Sequence, residues 1–191
     1  MRPGLSAACA AAVVLAAVAL VEMTALGGID RWLFDRPLDH ATRSLAAGDA
    51  RAAARALLPV VAERPGDPET HYYLGLAYIR SGMPAVAIGQ LSEAARLEPQ
   101  DARVRGALGE AYLDDGRVGE ALVQLREAVR LRPAAADVHV LLGLALCRAG
   151  DADGMKQEFR AAARMAAGEP LGELAHQLSE SGERVCVAGQ R

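Results

Sequence analysis

The residues of this chain best suited to chemistry are four histidines and three cysteines: His40, His71, His139, His176, Cys9, Cys147 and Cys186. Imidazole shuttles protons near neutral pH, thiolate is a nucleophile, and both ligate zinc. Their spacing supports none of these uses. No His or Cys cluster shows zinc-like intervals. His139 and Cys147 would make the best dyad, but eight residues of helix separate them by about 12 Å, too far for a proton to pass. Cys147 and Cys186 are compatible with a disulfide if the folded part lies in an oxidising compartment, and equally with two free thiols. Asp114 and Asp115 precede Gly116 and read as a solvated loop. Nothing resembles a phosphate-binding glycine loop or a nucleophile elbow. The sequence therefore predicts no catalytic residue, no metal, no cofactor and no small-molecule substrate.

The elements that carry these residues recur. Gly48, Gly82, Gly116 and Gly150 stand 34 residues apart, as do Pro65, Pro99 and Pro133. Leu74-Gly75, Leu108-Gly109 and Leu142-Gly143 fall into the same spacing, and so do Ala77, Ala111 and Ala145, and Ala94, Ala128 and Ala162. Between these columns an apolar periodic segment runs to a glycine, which suits the left-handed turn at a helix end, and a second runs to a proline. The residue before proline is pushed out of helical geometry, so the second helix stops there. Gly75 with Ala87, and Gly109 with Ala121, let paired helices approach closely, while Ala94 and Ala128 admit the next pair. One pair cannot bury its own apolar face, so the pairs must stack.

The pattern His71, Leu74-Gly75, Tyr78, Ala87, Leu91, Pro99, repeated as Arg105, Leu108-Gly109, Tyr112, Ala121, Leu125, Pro133, resembles the tetratricopeptide repeat. The third copy keeps His139, Leu142-Gly143, Leu146 and Phe159, but Met155 replaces the small residue and Ala167 the proline. An earlier copy keeps Gly48, Ala53, Leu57 and Pro65. The expected fold is an all-α helical-hairpin solenoid: a degenerate repeat at 34–67, repeats at 68–101 and 102–135, a weak repeat at 136–169, a capping helix at 170–182 and a tail at 183–191. Within the degenerate pair, Ala50 to Glu63 reads as the second helix despite Pro59. In the capping helix Leu171, Leu174, Ala175 and Leu178 share one face.

The resemblance also implies where a partner would sit. In such arrays the first helix of each pair lines a concave groove, and the matching positions here are Glu69, Tyr72, Leu76, Ile79 and Arg80, then Arg103, Gly106, Glu110, Leu113 and Asp114, then Asp137, Val140, Leu144, Cys147 and Arg148. This implies an apolar floor of Tyr72, Leu76, Ile79, Leu113, Val140 and Leu144, suited to an extended segment or an amphipathic helix. Arg80, Asp114 and Arg148 share a column along its edge and are expected to pair with one another. His71 and His139 hold a packing position. Family members that clamp the C-terminal carboxylate of cytosolic chaperones use lysines and asparagines, whereas this chain has no asparagine and a single lysine, Lys156.

Composition limits the partners. An apolar content of 52% and a net charge of −3 argue against disorder and against a nucleic-acid footprint. Leu5 to Val21 carries no charge, Arg2 precedes it, and the apolar character resumes after Glu22. Counted through Glu22 it reaches the roughly 20 residues that a membrane helix needs. Residues 1–30 are therefore expected to form a signal anchor, with Trp32 and Phe34 at the membrane surface; Ala17-Val18-Ala19 keeps a cleaved signal peptide open as the alternative. The repeats are expected in the periplasm of a bacterial inner-membrane protein. The resulting expectation is a non-enzymatic adaptor or assembly factor for a protein or peptide. A permanent accessory subunit of one membrane complex is the alternative.

Overall fold

The computed structural model describes residues 28–188, with side chains described for residues 37–181. The candidate membrane or signal segment, Leu5 to Val21, lies outside the described residues. Among those described, no helix is long and apolar enough to cross a membrane.

Nine helices are found among the described residues: α1 (Gly28–Ala46), α2 (Ala50–Glu63), α3 (Pro68–Arg80), α4 (Pro84–Leu97), α5 (Ala102–Asp114), α6 (Val118–Leu131), α7 (Ala136–Arg148), α8 (Ala152–Met165) and α9 (Pro170–Ala188). The 34-residue spacing reappears in their starts. Pro68, Ala102, Ala136 and Pro170 begin the first helices of successive pairs, and Ala50, Pro84, Val118 and Ala152 the second. The degenerate first copy thus keeps the register of the clear ones, although α1 begins at Gly28, ahead of the expected Phe34.

Local chemistry sets these boundaries. Asp49, Asp67, Asp101 and Asp151 accept hydrogen bonds from first-turn backbone amides, at 2.9, 3.2, 2.8 and 2.9 Å. Pro68 and Pro84 occupy the first turn, where no amide hydrogen is missed. The glycine column closes the first helix of each pair: Gly48, Gly82, Gly116 and Gly150 have φ of 80°, 71°, 77° and 84°. A side chain there would cost about 1–2 kcal/mol. The turn is tied by amides that reach back to the helix, Met83 to the Tyr78 carbonyl at 2.9 Å and Arg117 to that of Tyr112 at 2.8 Å. The second helices stop two residues before Pro65, Pro99 and Pro133. In the weak repeat, where Ala167 replaces the proline, Gly168 at φ 85° follows the end of α8 instead.

Pairing depends on the second glycine column. A Cβ at Gly75 would lie 2.5 Å from Cγ of Leu91, one at Gly109 2.5 Å from Cγ of Leu125, and one at Gly143 2.6 Å from Cε1 of Phe159. Helices α3, α5 and α7 therefore each rest their backbone on the largest fully buried side chain of the partner helix. Ala87, Ala121, Ala94, Ala128 and Ala162 are fully buried, and Met155 is accommodated fully buried beside Phe159. The core is continuous along the stack, because Tyr78 packs against both the first and second apolar clusters and Tyr112 against both the second and third.

The C-terminal helix is longer than the expected 170–182, continuing to Ala188 through most of the expected tail. Gly182 costs a helix only about 1 kcal/mol and no proline follows it. Helix α9 packs against α8 and α7 as the first helix of a further pair would. Ala175 is buried and Leu171 and Leu178 partly so, whereas Leu174 is 48% exposed, away from the face predicted for it. Its position corresponds to Val140, which faces the next first helix, and no further helix follows α9 among the described residues.

Candidate groove on the concave face

Successive first helices α1, α3, α5, α7 and α9 touch one another along one side of the stack and form its concave face. The register places one stripe of side chains, four residues apart, on each. Helix α3 carries Tyr72, Leu76 and Arg80 in this stripe, α5 Gly106, Glu110 and Asp114, and α7 Val140, Leu144 and Arg148, with Gly106 and Val140 buried. The middle stripe differs from both neighbours. Glycine stands between tyrosine and valine, glutamate between two leucines, and aspartate between two arginines.

Exposure sorts the ten predicted groove residues. Leu144 is 38% exposed, Tyr72, Leu76 and Glu110 are half-buried, and Arg80, Asp114 and Arg148 are exposed. Ile79, Leu113 and Val140 are buried at 9%, 4% and 9%, and belong to the core. The apolar floor is thus narrower than the sequence predicts. A helix shows its neighbours a stripe about 100° wide, and these three point into the contact between successive pairs. Two residues that the pattern did not single out, Tyr73 and Leu141, line the floor instead.

Leu76 separates two clefts. One, of about 390 Å³, lies between α1 and α3, bounded by Thr42, Leu45, Tyr73 and Arg80. The other, of about 130 Å³, lies over Gly106 and Ala107, walled by Tyr72, Glu110 and Leu141, with Arg103, Arg132 and Asp137 also lining it. Small side chains at 106 and 107 make this notch. A Cβ at Gly106 would meet only Val138 Cγ2, at an ordinary 3.6 Å, so the fold does not require glycine there.

Charges at the rim are largely engaged. Arg103 binds Asp101 at 2.8 Å, lies 4.0 Å from Glu69 and stacks 5.3 Å over the ring of Tyr72. Burial pushes the Tyr72 hydroxyl above its usual range, against the pull of Arg103. Although burial raises the Asp101 carboxyl, its hydrogen bonds from Arg103 hold it below the usual range overall. Arg148 donates to the backbone carbonyl of Leu113, tying the end of α7 to the end of α5. The expected pairing of Arg80, Asp114 and Arg148 is not formed: among the described residues no ion pair joins them. Glu110 has neither hydrogen bond nor ion pair among the described residues. Burial raises its carboxyl above the ordinary value and Asp114 adds to this, while Arg80 opposes it.

Of the remaining titratable candidates, His71 and His139 make structural contacts. His71 Nε2 donates to the carbonyl of Pro65 at 3.0 Å and Nδ1 meets Gln90 at 2.9 Å. His139 repeats this with Pro133 at 3.0 Å and Glu158 at 2.6 Å. Arg105, at the same position, donates to Pro99 and Gln124. His40 lies 3.4 Å from Ser44 and His176 3.7 Å from Glu180, both at the surface. Cys147 is disulfide-bonded; the side chains of Cys9 and Cys186 lie outside the described residues. Among the described residues no group of three or more His, Cys, Asp or Glu side chains converges as a metal site.

Sequence profiles agree with this architecture. One described as "Tetratricopeptide repeat" matches residues 44–111 and one described as "TPR repeat" matches residues 109–150. The chain is a tetratricopeptide repeat protein. Among solved structures, MamA is 25% identical, with 76% of this chain and 85% of that one covered and a TM-score of 0.64. A tetratricopeptide repeat protein of Thermus thermophilus is 24% identical over 69% of this chain and 73% of its own, at a TM-score of 0.63. A mutant of the Thermobaculum terrenum O-GlcNAc transferase is 28% identical over 70% of this chain, at a TM-score of 0.66. The chain spans only 26% of that transferase. No curated protein matches the sequence significantly. Tetratricopeptide arrays generally serve as protein–protein interaction scaffolds.

Proposed function

We propose that this tetratricopeptide repeat protein is a non-enzymatic adaptor that holds one extended or helical segment of a partner protein in its concave groove. The observation that carries this reading is the groove itself: Leu144 and half of Leu76 stand open beside a notch that the fold does not need. Apolar side chains left open on the floor of a concave site are suited to bury against a partner. We further propose that residues 1–30 tether the array to a bacterial inner membrane, with the repeats in the periplasm, where they would assist envelope assembly. Two features support this: the uncharged run from Leu5 to Val21, and the disulfide at Cys147, a bond that persists in oxidising compartments.

Affinity capture from detergent-solubilised membranes tests the groove, with the full-length chain beside its Leu144→Asp variant. The expected result is a partner retained by the parent chain and lost by a variant that keeps its helix content and unfolding temperature. A partner retained equally by both would move the interface off the concave face.

A further inference from the structure

The middle stripe, Gly106, Glu110 and Asp114, points to the chemistry of the partner. In the column of Glu110 the adjacent helices carry Leu76 and Leu144, and in that of Asp114 they carry Arg80 and Arg148. Glu110 is half-buried on the floor rather than solvated at the rim, and lacks any partner among the described residues. Such a group works against folding, and residues that do so without local compensation mark functional positions. A ligand lying in the groove would strip away the remaining water of this carboxylate. An apolar or acidic segment would leave it buried and unpaired, a cost that rejects such partners, whereas a cation would offset that cost. The cations of the groove itself do not meet this need: Arg132 lines the notch together with Glu110 but is not among the charges that act on its carboxyl. Arg103 is held by Asp101 and Tyr72, Arg148 by the Leu113 carbonyl, and Arg80 acts on Glu110 only from a distance.

Resting on the groove reading above, we propose that the segment held here presents an arginine or lysine to Glu110 and Asp114 and an apolar side chain to the notch over Gly106. The geometry sets their separation. Gly106 and Glu110 are four residues apart on α5, about 6 Å of rise, which a helical ligand spans with residues three or four apart and an extended one with residues two apart. The notch, at about 130 Å³, is close to the size that admits one benzene-sized group, so it takes a single leucine, methionine or aromatic ring. The uncharged run from Leu5 to Val21 of this chain offers no cation and does not fit this demand.

The test is selection of a random peptide library against the immobilised full-length chain in mild detergent. Parallel selections use Gly106→Leu, which fills the notch, Leu144→Asp, which spoils the open floor, and the Glu110→Gln, Asp114→Asn double variant, each first checked for helix content and unfolding temperature. The expected result is enrichment of Arg or Lys two to four residues from an apolar anchor. Individual binders should weaken by about tenfold or more on the double variant, as for loss of a charge-assisted contact. They should also be lost on Gly106→Leu and Leu144→Asp. Binders without a basic preference that are still lost on those two variants would overturn the inference and leave the groove standing. Binders indifferent to all variants, or none at all, would overturn both.

Discussion

Nδ1 of His139 lies 2.6 Å from Oε2 of Glu158, nineteen residues on, while Nε2 of the same ring donates to the carbonyl of Pro133 at 3.0 Å. One side chain thereby ties a first helix to its partner helix and to the loop that ends the preceding pair. The position matters more than the residue type, since Arg105 does the same with Gln124 at 2.9 Å and Pro99 at 3.2 Å. His139→Ala should lower stability by about 1–3 kcal/mol, because it removes both contacts from a site with little access to water. His139→Arg should recover most of that loss. Urea unfolding of the two variants checks this, and an alanine variant within about 0.5 kcal/mol of the parent, at the level of an ordinary surface change, would show the link to be dispensable.

Two glycines three residues apart on α5 should respond in opposite ways. At Gly109 a Cβ would sit 2.5 Å from Leu125 Cγ, whereas at Gly106 the nearest atom is 3.6 Å away. Gly109→Ala should destabilise by about 1–3 kcal/mol through overpacking. Gly106→Ala should stabilise by about 0.5–1 kcal/mol, as alanine loses less backbone entropy in a helix. Thermal unfolding separates them, and losses of similar size at both positions would mean that the helix pairs can relax around an added methyl.

Much of this fold is legible in the sequence because its punctuation is local chemistry. Glycine at positive φ, aspartate at a helix start and proline after a helix end each fix a boundary without tertiary information, so Ala50–Glu63 is readable even in the degenerate copy. The end of α9 is not, because Gly182 alone does not decide between stop and continuation. The groove is legible as a column and not as a surface. Periodicity assigns Ile79, Leu113 and Val140 to the first-helix face, but a shift of a few tens of degrees about the axis moves a side chain from open floor to packed contact, and that angle depends on neighbouring pairs. The link through His71, Arg105 and His139 lies in one column, yet its partners nineteen residues on give no signal until the pair is folded.

Cys147 lies in the last turn of α7, packed against the third apolar cluster, and is disulfide-bonded. A bond formed in the cell should leave Cys147 unreactive toward a maleimide on the freshly isolated chain until reductant is added. Cys147→Ser should then cost about 2–4 kcal/mol, the usual contribution of a native cross-link. Mass spectrometry of the labelled chain reads the first outcome and denaturant unfolding the second. Labelling of Cys147 without reductant would remove the disulfide as support for an oxidising compartment.

The unpaired acid of the groove makes a prediction with a definite sign. Burial, and then Asp114, raise the Glu110 carboxyl above its ordinary value in the folded chain, while Arg80 acts the other way. Between the unfolded and folded values the folded state holds more protons than the unfolded one, so the Glu110 contribution to stability falls as pH rises across that interval. Below the interval it costs nothing, and above it the cost is complete. Glu110→Gln should therefore be more stable than the parent at neutral pH, with the gap closing as pH falls toward the ordinary glutamate value. Taking the difference between the two chains at each pH cancels the other carboxylates. Paired unfolding curves from neutral to mildly acidic pH measure it, and a variant no more stable than the parent at neutral pH would show that the carboxylate carries no desolvation cost in the empty groove. Adding a basic peptide selected on the parent chain should narrow or reverse this gap, since it supplies the missing cation to Glu110 and stabilises more strongly the chain that retains the charge.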